Sequence, residues 1–398
     1  MGFATEWGVN LLALVLATIS LLIWVVLTFL RGAFWQVLAF DDDISNHELL
    51  ERWPRVVTIV PARDEADTIA RTVESLAKQD YPGELRVVIV DDHSEDGTGT
   101  LAREAAERAG ASKRVLILQG ATLENGWTGK LLAMQRGVES SVAREGEFFW
   151  FTDADIEHAP DTLRRVVQRA ERDKLDLVSL MALSQVNSFP ERLLIPPFLY
   201  FFLKLYPPSW TANRKRKTAG AAGGCILLRR AALERIGGLG AIRGEMIDDC
   251  TLAKAVKRSG GGTWLGLTRK SVSLRTYTTF AEIQDLIART AFTQLGYSGL
   301  LLAGTLLGML ITYLMPVIFT FSARPVVCPL GLAAWALMAI TYLPTVRFYR
   351  MSPLWAAALP AAAAFYTYAT WVSAVRYWLG RGGQWKGRAQ APAKSSAQ

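Results

Sequence analysis

The sequence predicts an α/β domain built on a mainly parallel, doubly wound sheet and flanked by membrane-spanning helices. Three observations predict it. First, residues 7–30, 290–323, 325–346 and 351–375 contain no charged side chain, although the 398-residue chain carries 44 Lys and Arg and 36 Asp and Glu. Second, between the first of these blocks and the rest, short apolar runs alternate with longer amphipathic ones, the pattern of βαβ units. Third, three of the apolar runs end in carboxylates, at the edge where such sheets bind ligands. An apolar share of 51% excludes a largely disordered chain.

Leu11 to Leu30 (LLALVLATISLLIWVVLTFL) is long enough to cross a bilayer. It lacks the basic start, short core and small-residue cleavage site of a signal peptide, so residues 1–33 are expected to be a retained anchor. A polar linker (DDDISNHELLERWP) leads to the domain, expected over residues 34–289. VVTIV (Val56 to Val60) reads as a buried strand, and Thr68 to Lys78 as a helix with Ile69, Val73 and Leu76 on one face. Leu85 to Val90 is a second strand, followed by a helix from Gly97 to Ala109. Arg114 to Leu118 is a third, followed by a helix from Lys130 to Ala143. Glu147 to Phe151 is a fourth, and Leu177 to Leu183 resembles a fifth.

The strand ends carry the chemistry. The first runs into Pro61-Ala62-Arg63-Asp64-Glu65, the second into Asp91-Asp92-His93-Ser94-Glu95-Asp96, and the fourth into Thr152-Asp153-Ala154-Asp155. Singly, such acids can cap the following helices. Together, so many at one edge repel one another unless a cation or a donor-rich ligand offsets them. Asp153 and Asp155, two hard oxygen ligands one residue apart, suit Mg2+ or Mn2+, which take further ligands from water and substrate phosphates. Neither a Walker loop nor a G-x-G-x-x-G follows the first strand, so NTPase and dinucleotide-binding readings lack their phosphate cradle.

Residues 189–210 (FPERLLIPPFLYFFLKLYPPSW) are aromatic-rich, are interrupted by Pro196 and Pro197, and are too short to span. They read as an interfacial helix or as part of the domain core. Arg214 to Lys217 read as a solvated loop or as a holder of anionic lipid or pyrophosphate. Gly220 to Gly224 lets backbone approach a ligand closely. Asp248 and Asp249 open a helix, where acids are favourable, or supply a general base.

Three further spans are expected within residues 290–379, at Gly299 to Phe321, Val326 to Val346 and Leu354 to Tyr377. Three crossings would put the tail, residues 380–398, opposite the domain, whereas Arg376, Arg381, Lys386, Arg388 and Lys394 favour the cytoplasmic side. Either one segment is incomplete or the charge rule fails here. Cys225, Cys250 and Cys328 form no disulfide framework, and His47, His93 and His158 no zinc-like cluster. The net charge of +8 comes from residues 290–398; residues 31–289 are only +1, which gives no support to a nucleic-acid partner.

The ordered set VPARDEA, VDDHSEDGT, GWTGK, TDAD, GAAGGCILLRR and MIDDCTLAKAV, spread over about residues 57–256, resembles family 2 glycosyltransferases with a GT-A (Rossmann-like) fold. GWTGK and ARTAFTQLGYS are most similar to hopene-associated glycosyltransferases; ceramide glucosyltransferases look more distant. The resemblance implies that Pro61, Ala62, Arg63, Glu65 and Asp92 frame the nucleotide, with a lean to uridine, and that Lys130 lies near it or its phosphates. Asp153 and Asp155 would be the DxD pair, Asp155 contacting a Mg2+ or Mn2+ cofactor and the diphosphate. Asp249 would be the base of an acidic motif written here Asp248-Asp249, and Gly223, Gly224 and Arg289 would lie on the acceptor or phosphate side. The family's Q-x-x-R-W motif is absent, only Gln284, Arg289 and Gln294 lying in that region, so polymer synthesis is not expected. The implied activity is inverting transfer from a nucleotide-sugar, a UDP-sugar by preference, to a lipid hydroxyl. The alternative is a polyprenol-phosphate acceptor. The expected location is the bacterial inner membrane, with the catalytic domain facing the cytoplasm.

Overall fold

The computed structural model describes residues 2–37, 50–381, 384–385 and 388–389. His47, most of the linker, and Lys386 and Lys394 of the tail lie outside the described residues. The described chain divides into a helical unit (residues 2–37, 186–209 and 277–381) and an α/β unit that includes residues 50–185 and 210–276. The domain boundaries therefore differ from the sequence reading, because residues 186–209 and 277–289 group with the helices.

The α/β unit contains one eight-stranded sheet: β1 (Val56–Ala62), β2 (Leu85–Asp91), β3 (Val115–Gln119), β4 (Phe148–Phe151), β5 (Ile156–His158), β6 (Leu177–Leu183), β7 (Ile226–Arg229) and β8 (Thr263–Ser273). The order is β3-β2-β1-β4-β7-β6-β8-β5. β1 to β4 pair in parallel, as expected. In the other half β6 and β8 also pair in parallel, so four of the seven pairings are parallel as expected, and the antiparallel ones make the sheet mixed. β7 runs antiparallel to both neighbours, and β5 antiparallel to β8. Only residues 152–155 separate β4 from β5, too few for the crossover a parallel neighbour needs, so β5 goes instead to the far edge.

Alternating side chains build a core on each face. Val60, Ile89 and Trp150 pack on one side with the helices Ile69–Ala77, Thr98–Arg108 and Thr162–Arg172. Ile59, Val90 and Phe151 pack on the other with Gly129–Val138 and Asp248–Arg258. With both faces covered, β1 is buried at all seven positions.

Within the helical unit, three stretches are long and apolar enough to cross a membrane: Asn10–Phe29, Gly299–Thr320 and Val327–Phe348. The expected third C-terminal span is not among them. Residues 354–377 form a 3-10 turn, Pro353–Ala358, and a helix, Leu359–Trp378, whose Thr367, Thr370, Ser373 and Arg376 dilute its apolar character. Pro316 cannot donate to the Thr312 carbonyl, and the helix relaxes there into a π-turn, Leu310–Leu314. The Trp24 indole N–H donates to that carbonyl at 2.7 Å, and the Ser20 hydroxyl to Ile311 O at 2.7 Å.

The aromatic-rich segment packs partly into the helical unit. Phe189–Leu205 is one continuous helix despite Pro196 and Pro197. It is held in the helical unit, with the Tyr200 hydroxyl 2.8 Å from that of Thr341 and the Tyr366 hydroxyl donating to Leu194 O at 2.8 Å. Its N-terminus is held by a capping box in which buried Glu191 also accepts from Tyr277 N at 2.6 Å.

Candidate active site

The loops after β1 and β2 are sewn together by side chain to backbone hydrogen bonds. Asp64 accepts from Glu95 N at 2.9 Å, Asp91 from Ser94 N at 3.0 Å, and Asp96 from Ala66 N at 2.9 Å. A slight burial cost to Asp96 is outweighed by its bonds from Thr98 and Ala66, which hold its carboxyl below the usual range. These three acids build the loops. Asp64 (φ 51°) and His93 (φ 57°) adopt left-handed backbone there, a conformation Asp and His tolerate better than most residues. Arg63 donates to Asp92 O at 2.6 Å, and its guanidinium lies 4.0 Å from the Asp92 carboxylate, which is only 2% exposed. Pro61 and Ala62 close β1 and are buried.

The Lys130 ammonium sits 2.9 Å from Asp153 Oδ1 and 3.3 Å from Asp248 Oδ2. Two helix starts make this possible. Thr128 caps Gly129–Val138, and its backbone N–H donates to Arg243 O at 2.9 Å, tying that start to the chain that leads into Asp248–Arg258. Burial alone would lower the Lys130 value, but Asp153 and Asp248 hold it above the usual lysine range. Asp249 accepts from Gly223 N at 3.0 Å and from Cys250 N at 2.6 Å. Burial, then the like charge of Asp248, push its carboxyl up to about 7 against the pull of Lys130. A side chain at Gly223 would be tight: a Cβ there would lie 3.1 Å from Lys130 Nζ and 3.3 Å from Asp153 Oδ2. The structure thus brings Lys130, Asp153, Gly223, Asp248 and Asp249 around one pocket, which Pro61 also lines.

Beside it, Arg275 bridges two carboxylates, donating to Asp155 at 3.0 Å and to Glu65 at 2.8 Å. Burial, then Asp153, push Asp155 up to about 6, with Arg275 opposing. Arg275 was missed in the sequence. It follows β8, a strand the apolar pattern does not announce. Gly224 adjoins Gly223, and its carbonyl accepts from Thr152 at 2.9 Å. Arg289 belongs to the helical unit, exposed at the end of the helix Phe280–Ala288. Arg214 to Lys217 are exposed; Arg214 donates to Lys174 O, and Arg216 stacks on Trp210 at 4.9 Å.

The donor set can be tested against a divalent ion. Asp153 and Asp155 offer hard oxygens, which fit Mg2+ or Mn2+. Among the described residues no group of three or more His, Cys, Asp or Glu forms a ready cage, so further ligands would come from water or phosphate, as these ions accept. Lys130 and Arg275 neutralise the two carboxylates in this structure.

Residues 57–237 match the family model described as "Glycosyl transferase family 2". A dodecaprenyl-phosphate galacturonate synthase of Rhizobium johnstonii is 30% identical over 122 residues, 30% of this chain and 33% of that protein. A beta-monoglucosyldiacylglycerol synthase of Synechocystis is 32% identical over 116 residues, 29% of this chain and 22% of that protein. The chain thus spans a third or less of the length of these curated relatives. Among solved structures, a mannosyltransferase from Pyrobaculum calidifontis, in complex with GDP-Man and Mn2+, aligns with a TM-score of 0.52 at 20% identity. That alignment covers 90% of this chain and 99% of the other, a likeness of fold.

Proposed function

Because residues 57–237 match the glycosyl transferase family 2 model, we propose that the protein transfers a sugar from a nucleotide-sugar to a lipid hydroxyl at a membrane surface, with inversion. The observation that carries this reading is Asp249: a carboxyl raised to about 7, held by the Gly223 N–H and set beside the Asp153 and Lys130 pair. A base of that strength is half deprotonated near neutral pH. Asp249 takes the acceptor hydroxyl proton, the acceptor oxygen attacks the anomeric carbon from the face opposite the nucleotide, and the bond to the diphosphate oxygen breaks. Asp153 and Asp155 would hold Mg2+ or Mn2+. When bound, the ion supplies charge neutralisation at the departing diphosphate. Lys130 adds a fixed positive charge beside Asp153. Pro61, Ala62, Arg63, Glu65 and Asp92 frame the nucleotide, and Gly223 and Gly224 let the sugar and its phosphates approach backbone. Arg289 keeps only a proposed place on the acceptor side.

A UDP-sugar remains the preferred donor, although the mannosyltransferase named above binds GDP-Man. The lipid acceptor is supported by three helices able to cross a membrane and by relatives whose names specify diacylglycerol or dodecaprenyl phosphate products. The second of those names favours a second reading, attack by a polyprenol phosphate, which needs less help from a base. Hopanoid is the lipid suggested by GWTGK and ARTAFTQLGYS. Two candidate spans follow the α/β unit among the described residues, and an even number of crossings together with the basic tail supports a cytoplasmic active site at a bacterial inner membrane. Mass spectrometry of lipids from cells with and without the gene tests this. The expected species, heavier than its precursor by one hexose or N-acetylhexosamine, disappears without the gene; an unchanged lipid profile contradicts the reading. Acid lability of the product separates a phosphodiester from an alkyl glycoside.

A further inference from the structure

His158 is buried on β5, 3% exposed, and among the described residues it belongs to no group of metal-ligating side chains. Both ring nitrogens are engaged: Nε2 lies 2.8 Å from Thr152 Oγ1, and Nδ1 lies 2.8 Å from Ser271 Oγ on β8. Thr152 directly precedes Asp153, and its hydroxyl lies 2.9 Å from Gly224 O, directly after Gly223. Proton directions follow from donor counting. The Thr152 hydroxyl has one proton, and the Gly224 carbonyl can only accept, so Thr152 donates there. Its oxygen then accepts from His158 Nε2–H, which leaves Nδ1 to accept from the Ser271 hydroxyl. Burial pushes the ring down to about 3, so it stays neutral, as this chain of donors needs.

These bonds link β5 and β8 to the residue that follows β4 and the one that precedes the turn into β7. At one end the β8 hydroxyl is fixed three residues before Leu274 N donates to Asp155 O at 2.7 Å and four before Arg275 reaches the Asp155 carboxylate. At the other end the Gly223-Gly224 turn is fixed so closely that a Cβ on Gly223 would lie 3.3 Å from Asp153 Oδ2.

We propose that His158 is a positioning residue: through the Thr152 hydroxyl it locks the Asp153-Asp155 turn against the Gly223-Gly224 turn, and so sets the part of nucleotide affinity that depends on a divalent ion. The inference rests on the donor reading above. Groups that orient metal ligands typically change metal-linked affinity by about 10- to 100-fold when removed.

The test uses the full chain in detergent, titrated calorimetrically with UDP and with GDP, each with and without Mn2+. In the wild type, Mn2+ strengthens binding of one nucleotide. His158→Gln, whose amide reaches the Nε2 position, keeps that enhancement, as does Thr152→Ser. His158→Asn, whose amide reaches only the Nδ1 position, and Thr152→Val, which keeps shape without the hydroxyl, each lose about tenfold of it. Metal-free affinity stays within about twofold in all four. Thr152→Val keeps the test decisive should His158→Asn fold poorly. An unreduced enhancement in Thr152→Val, or equal losses with and without Mn2+, would overturn the proposal while leaving the donor reading intact. Absence of nucleotide binding by the wild type would overturn both.

Discussion

Three carboxylates share Lys130, and the sharing sets what each substitution should do. Asp249, raised to about 7, is protonated below that value and cannot accept a proton, so kcat/KM should rise with pH through about 7. Asp248→Asn removes the like charge that raises Asp249 and leaves more of the Lys130 charge for it. Both effects favour the anion, so the rise should move to lower pH; an unmoved midpoint would contradict the assignment. Gly223→Ala puts a methyl 3.1 Å from Lys130 Nζ and should cut kcat/KM at least about tenfold while barely moving the unfolding midpoint. At this scale the sequence singled out residues that the structure brings around one pocket, and it did not show how each is held. Asp91, Asp96 and Asp153 look alike as strand-end acids, yet the first two are consumed by turns and the third meets a lysine. Arg275 and the role of His158 were not legible, because both depend on β8, whose pairing with β5 joins residues more than a hundred positions apart.

Elements were legible where their periodicity was local. β1 and β2 alternate between two cores, and their helices keep clean apolar stripes, so both were read within two residues of their ends. β7 is preceded by small residues and lies antiparallel between β4 and β6, a placement decided by the sheet and not by its own four residues. Pro196 and Pro197 sit inside a helix for a related reason. Proline removes a donor, but a helix survives where neighbouring elements hold it, and Phe189–Leu205 is held by Tyr200, Tyr366 and its capping box. The π-turn at Leu310–Leu314 shows the same physics, since Trp24 supplies the bond that Pro316 cannot. Trp24→Phe keeps the ring and loses the donor, and should destabilise the helical unit by about 1 kcal/mol. Thermal unfolding in detergent measures this; wild-type stability would mean the bond contributes nothing there.

Across the whole molecule, the uncharged blocks separated membrane helices from the α/β unit, and what they missed was that two internal segments, 186–209 and 277–289, belong with the helices. The charge tally alone could not assign them, because Glu191 and Lys204 are polar groups satisfied inside the helical unit. On the proposed reading, the carboxylates, Lys130 and Arg275 of one unit would take a charged nucleotide donor, and the apolar helical unit a lipid acceptor. The central claim is that Asp249 removes a proton from a lipid hydroxyl during transfer from a nucleotide-sugar. The most direct measurement is the reconstituted protein, supplied with a labelled nucleotide-sugar, Mn2+ and membrane lipid, comparing wild type with Asp249→Asn for label extracted into lipid and for nucleotide bound. The account predicts label in the lipid only with the wild type and nucleotide bound by both; transfer by Asp249→Asn at the wild-type rate would contradict it.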